Sequence, residues 1–122
     1  MTQRGTQGSS RWVDFVVPAA YLFLALLFTW PVITNITDSI IGGGGDGWQE
    51  TWEMWWMNRA IQTGTPPYHF STLYAPTGAT NYLHSFNPLE IVLTLPMQWA
   101  FGPIAAFNTA CLMALVMTAF GA

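Results

Sequence analysis

The sequence predicts an all-α membrane protein, with two transmembrane helices joined by a long extracytoplasmic loop that carries an amphipathic interfacial helix. The whole reads as a fragment of a larger helical bundle. Three observations lead there. Of 122 residues, 52% are hydrophobic and 16% aromatic but only 7% charged, against about 25% charged in an ordinary soluble domain. Two stretches, Phe15 to Trp30 and Ile104 to Phe120, contain no charged residue at all. Between them lies a segment rich in glycine, proline and tryptophan that holds most of the acids.

The charge balance excludes one broad class of partner. Three arginines, no lysine and six acids give a formal charge of −3, with no basic stripe to neutralise nucleic-acid phosphates. Cys111 is the single cysteine and sits in an apolar run. It forms no internal disulfide, says nothing about compartment, and is read as a small buried hydrophobe.

Residues 1–11 form a cytoplasmic tail and residues 12–34 the first transmembrane helix. Counted from Trp12 to Trp30, the apolar run spans about 28 Å as a helix, roughly one hydrocarbon thickness. Trp12 and Trp30 stand at its ends, where amphipathic rings prefer the headgroup level. Pro18 is expected in the first turn, where its missing N–H costs little, and Pro31 at the exit. The stretch also has the outline of a secretory signal, with Arg4 and Arg11 before an apolar core. The core is long for that role, however, and PVITNITDS after it holds no small-x-small cleavage pattern. Arg4 and Arg11 precede the span, whereas Asn35 to Asn87 holds only Arg59 against Asp38, Asp46, Glu50 and Glu53. The positive-inside bias puts the N-terminus in the cytoplasm of a bacterial or archaeal cell, with residues 35–88 outside its plasma membrane.

Within that outer loop, Gly42 to Gly47 interrupts regular structure, and a helix is expected over about 48–62, ending at Gly64. Trp48, Trp52, Trp55 and Trp56 recur at i, i+4, i+7 and i+8, one face of a helix, with Glu50, Glu53 and Arg59 largely on other faces. This face suits the membrane interface or neighbouring membrane helices, and the alternative is a protein core. The Pro- and Gly-rich stretch that follows reads as an ordered loop, with Ala75-Pro76-Thr77-Gly78 as a reverse turn. Residues 89–101 are apolar but carry Glu90 and Pro96 and are too short to cross alone, so an interfacial or re-entrant helix is expected. Gly102 and Pro103 turn the chain into the second span, residues 103–122, which is read as truncated. Along it Ala106, Ala110, Ala114 and Thr118 form a narrow strip of small side chains that another helix can approach closely.

Few residues offer chemistry. Gly42, Gly44 and Gly47 satisfy G-x-G-x-x-G, but the strand before and crossover helix after that a dinucleotide site needs are missing, so no cofactor-binding residues are assigned. Zinc spacing, a Walker lysine and a serine nucleophile motif are absent as well. What remains is Asp46, flanked by glycines that let the backbone adopt positive φ and approach a ligand closely. The residues alone favour a simpler role for it, as N-terminal cap of the tryptophan helix, worth about 1 kcal/mol.

The order of features resembles the start of the GT-C class of polytopic membrane glycosyltransferases. It comprises an N-terminal membrane helix, then Gly45-Asp46-Gly47, then Trp52, Trp55 and Trp56. Tyr74, Pro76 and Gly78 follow, and then His84, Asn87 and Pro88. The resemblance runs from about residue 12 to the end and lies in the order more than in any single motif. It implies transfer of a sugar from a polyprenyl-phosphate carrier at the outer membrane face, with membrane lipid and the remaining transmembrane helices of a longer protein as partners. It also implies that Asp46 is the catalytic base or a metal ligand. An ordinary carboxylate titrates near pKa 3.9, and partial burial against tryptophans would raise that value and improve it as a proton acceptor. Glu50 and Glu53 could join Asp46 around a divalent cation, Mg or Mn, because hard cations favour carboxylate oxygens. His84 could donate to a substrate phosphate and Arg59 could meet a lipid phosphate, while His69, among prolines, is read as structural. The alternative from another class is a non-catalytic membrane subunit or scaffold whose tryptophan helix anchors the outer loop.

Overall fold

The computed structural model describes residues 12–82 and 86–121. Arg4, Arg11 and His84 therefore lie outside the described residues. Among those described, the chain forms four α-helices, one 3-10 turn and one short hairpin. The α-helices are α1 (Val13–Phe28), α2 (Asp46–Thr63), α3 (Pro88–Phe101) and α4 (Pro103–Gly121). The hairpin pairs β1 (His69–Phe70) with β2 (Ala79–Thr80), antiparallel, with His69 opposite Thr80 and Phe70 opposite Ala79.

Helix α4 is the hub, in contact with each of the other three helices. Its small residues make this possible. Ala105 and Ala106 are completely buried and Ala110 nearly so, which lets Met54 and Met57 of α2 and Ile91 of α3 pack around Phe107 in one cluster. The expected strip is thus divided. Ala106 and Ala110 receive α2 and α3, whereas Ala114 and Thr118 stay uncovered.

Among the described residues α4 is the one helix both long and apolar enough to cross a membrane. α1 is apolar but has 16 residues, or about 24 Å, and so falls short of the 12–34 span expected. The chain leaves the α-helix at Phe28 and continues through a turn at Trp30 and Pro31 into a 3-10 turn, Val32–Asn35. Pro18 also differs from expectation. With α1 starting at Val13 it falls in the second turn, inside the helix, where it leaves the Asp14 carbonyl without its usual donor. Ala25 is the buried residue of α1, and Phe15, Phe23 and Phe28 are exposed. So many large exposed apolar side chains exceed what a water-facing surface ordinarily carries.

The segment from α2 to the start of α4 follows the expected boundaries closely. α2 runs two residues earlier and one later than predicted, and ends with Gly64 in the left-handed region, as a C-terminal glycine should. α3 begins with Pro88 at its first position and turns sharply into α4 at Gly102, φ 90°. The loop between α2 and α3 closes on itself differently from the predicted Ala75 to Gly78 turn. Gly78 N–H donates to Tyr74 C=O at 3.2 Å, one residue further back.

One side chain ties the loop between α1 and α2 to the hub. Asn108, fully buried in the second turn of α4, donates through Nδ2 to the carbonyls of Ile36 at 2.8 Å and Ser39 at 2.7 Å. Its Oδ1 accepts from Ile41 N–H at 2.9 Å. The irregular segment before the glycine run has no helix or sheet to satisfy these groups, so Asn108 does it. Asn108→Ala is expected to lose about 2 to 4 kcal/mol, because three backbone groups lose their partner together. Asn108→Asp is expected to lose a similar amount, since a carboxylate accepts from Ile41 but cannot donate to either carbonyl. Equilibrium unfolding in mixed micelles, followed by tryptophan fluorescence, measures both.

Candidate functional site

The segment that carries Asp46 is shaped by glycine. Gly42, Gly44 and Gly45 have φ of 98°, 91° and 60°, a region that side chains with a Cβ enter at a cost. Gly47 serves contact instead. A Cβ there would lie 3.0 Å from Ile40 Cδ1 and 3.4 Å from Phe107 Cζ, so the absence of a side chain lets the first turn of α2 rest on α4. Asp46 follows from both constraints, as the first residue of α2 and exposed to solvent.

Two expectations for Asp46 are corrected here. The N-cap position belongs to Gly45, with no side-chain cap hydrogen bond, so Asp46 is not the cap. It remains in the first turn, where a negative charge is favoured by the helix dipole. Nor is it partly buried among tryptophans. Asp46 and Trp48 are both exposed, whereas Glu50, one turn further on, is partly buried. Burial pushes Glu50 above the ordinary carboxylate range, reinforced by the negative charges of Glu90, Glu53 and Asp46, in that order.

The assignment of faces on α2 is corrected too. Its buried side runs through Thr51, Glu53, Met54, Trp56, Met57 and Ala60, and the two methionines pack with Ala106, Phe107 and Ala110 of α4. This turns Glu53 inward, to 3% exposure, where its Oε1 accepts from Gln49 Nε2 at 3.2 Å. The tryptophans divide accordingly. Trp56 is buried and donates to Pro67 C=O at 3.0 Å. Trp52 stacks on it at 6.1 Å, and Phe70 meets both rings edge-on, at 4.8 and 5.4 Å. Those two therefore anchor the loop, while Trp48 and Trp55 face outward.

Glu50, Glu53, Asn87 and Glu90 line a small cavity of about 110 Å³ between α2 and the start of α3. Glu90, which the sequence reading used only as an argument against a membrane span, is held there by Asn87 Nδ2 at 2.7 Å. The available signal was the spacing Asn87-x-x-Glu90 at a helix start, which has the outline of a capping box. The structure does not fit the three-carboxylate cation site. Asp46 and Glu53 are separated by about 10 Å along the helix axis, one exposed and the other buried. Among the described residues no group of three or more His, Cys, Asp or Glu is positioned to hold a metal ion.

Arg59 is also remote from Asp46, about 20 Å along α2. Its guanidinium lies 5.8 Å from the ring centre of Trp55 on the exposed side, a cation–π arrangement. One small ligand cannot touch both ends of the helix. His69 lies in the hairpin, opposite Thr80. Its ring lies where a Cβ on Gly78 would come within 2.7 Å of it, fixing how tightly the hairpin closes. No family model, curated protein or solved structure matches this chain.

The raised Glu50 carboxyl has a defined effect on stability. A group protonated more readily in the folded than in the unfolded state stabilises the fold fully below its unfolded value, and that contribution is lost as pH rises through the folded one. Glu50→Gln should therefore be more stable than the parent at neutral pH and lose less stability between acid and neutral pH. Thermal unfolding of both proteins across that range, in the same detergent, provides the comparison. Parallel curves would remove Glu50 from the pH dependence.

Proposed function

We propose that the chain is the N-terminal part of an integral membrane glycosyltransferase. In this reading it transfers a sugar from a polyprenyl-phosphate carrier at the outer face of the membrane, with Asp46 as general base. The observation that carries the reading is the pairing at the start of α2. An exposed carboxylate, Asp46, stands one turn from a partly buried one, Glu50, whose carboxyl is pushed up by burial and by neighbouring acids. Two carboxyl groups in unlike surroundings divide acid and base work between them. Asp46 takes the proton of an acceptor hydroxyl as it attacks the anomeric carbon, and the leaving phosphate departs with the bonding electrons. Glu50, harder to ionise than an ordinary carboxyl, can return a proton to the site.

The setting supports the same reading. α4 is long and apolar enough to cross a bilayer, the apolar exterior of α1 suits a second membrane helix, and Arg4 and Arg11 before it favour a cytoplasmic N-terminus. The outward Trp48 and Trp55, with Arg59 over Trp55, form a face suited to the headgroup layer. Further transmembrane helices cover Ala114 and Thr118, the free half of the small-residue strip.

In the intact protein in its own membrane, Asp46→Asn is expected to abolish sugar transfer, by at least about 100-fold as for loss of a general base. Expression and insertion should be unaffected, because the exposed side chain makes no cap. Transfer at the parental rate would remove Asp46 from the chemistry and favour a non-catalytic scaffold.

A further inference from the structure

The sides of α2 face different surroundings. The buried side packs on α4. A second, with Trp52 and Glu53, borders an aromatic cleft of about 440 Å³ beneath the hairpin loop, which Phe70 and Tyr74 help to line. The third carries Trp55, Asn58, Arg59 and Gln62, which at i, i+3, i+4 and i+7 share one stripe of the helix. Trp55, Arg59 and Gln62 are exposed and Asn58 is half-buried. Neighbours fix the polar groups of this stripe. The Arg59 guanidinium lies 5.8 Å from the centre of the Trp55 ring. Asn58 Oδ1 accepts from Gln62 Nε2 at 3.0 Å and from Trp99 Nε1 of α3 at 2.9 Å. An indole N–H only donates, so Trp99 decides which end of the carboxamide faces α3. Nδ2 is then left to donate beside the guanidinium. Arg59 has no ion-pair partner among the described residues, and Glu53, the nearest acid along its helix, is about 9 Å back along the axis.

A positive charge with an oriented donor next to it selects an anion rich in acceptor oxygens. One guanidinium balances one negative charge, and the C-terminal end of α2, close by, opposes any more. A phosphodiester therefore fits better than a phosphomonoester, with its charge of about −1.5 to −2. The place of the stripe names the source. Trp99 stands three residues before Gly102, where the chain turns into α4, the helix long and apolar enough to cross a membrane. Trp99 and Phe101 are both exposed there. Indoles at the end of a membrane helix mark the headgroup level, and they offer apolar contact that a free phosphate cannot use. We propose that this stripe, with Trp99, is a docking site for the phosphodiester of an anionic phospholipid of the phosphatidylglycerol type, in the leaflet where α4 begins. Arg59 and Asn58 Nδ2 donate to its phosphate oxygens, and Trp99 lies against its glycerol and upper acyl chain. A choline lipid fits less well, because its own cation meets Arg59 and the Trp55 ring already has a cation on it. This site presupposes the membrane placement proposed above, not the chemistry of Asp46.

The experiment places the intact protein in nanodiscs of equal phosphatidylglycerol and phosphatidylcholine and counts the lipids it retains on release by native mass spectrometry. Phosphatidylglycerol should be retained in about tenfold preference. Arg59→Gln should lose that preference. Asn58→Asp keeps an acceptor for Trp99 and Gln62 but turns the remaining donor into a negatively charged acceptor, so it should unfold at close to the parental temperature and lose the preference as well. That pairing would not come from a purely structural asparagine. Asp46→Asn should select lipid as the parent does, which separates this site from the transfer reaction. Glycerophosphoglycerol, the same headgroup without acyl chains, should compete at least about 100-fold more weakly than the lipid. Equal retention of the two lipids, parental selectivity in both Arg59→Gln and Asn58→Asp, or competition by glycerophosphoglycerol as strong as that of the lipid would overturn the assignment while leaving the membrane placement intact. A protein that fails to float with vesicles of either composition would overturn both.

Discussion

The carboxamide of Asn108 is the constraint on which the segment joining α1 to α2 depends. A chain that leaves a helix at Phe28 and enters another at Asp46 must satisfy the backbone groups of the irregular residues between. One buried side chain in α4 does so for Ile36, Ser39 and Ile41 at once. Because Asn108 sits on the same helix as Phe107, whose ring lies close beneath Gly47, the loop and the first turn of α2 are registered against a single rigid element. The position of Asp46 follows from these contacts, with the glycines supplying only the backbone angles the path requires.

This arrangement separates two kinds of tryptophan that look alike in sequence. Trp56 is buried and Trp52 half-buried, and their partner is the Pro- and Gly-rich loop, through Phe70 and Pro67. Trp48 and Trp55 are exterior. Aromatic packing of the first pair contributes about 0.5–1.5 kcal/mol per contact beyond area burial, and holds an otherwise irregular loop against α2. The loop in turn supplies the far wall of the aromatic cleft, so the helix and the loop depend on each other for their shape.

Much of the helical outline was legible. Apolar runs, Gly64, Asn87-Pro88 and Gly102-Pro103 marked the starts and stops of α2, α3 and α4 because each signal acts on local backbone geometry, which the sequence states directly. The faces of α2 were less legible. Four tryptophans at helical spacing outweighed Met54 and Met57, although shape matching to the small residues of α4 favours the slimmer side chains there. Misreading the face hid the burial of Glu53 and, with it, the shared cavity with Glu90. Asn108 passed as one polar residue in an apolar span. Its importance arises from partners about 70 residues away in sequence, a relation that no local pattern encodes.

Glu53 belongs to two walls at once, facing the carboxyl cavity on one side and the aromatic cleft on the other. A side chain shared in this way cannot be altered for the benefit of one space alone. Any replacement that changes its length or charge reshapes both chambers together, so in this fold the two have to be inherited, and engineered, as a pair.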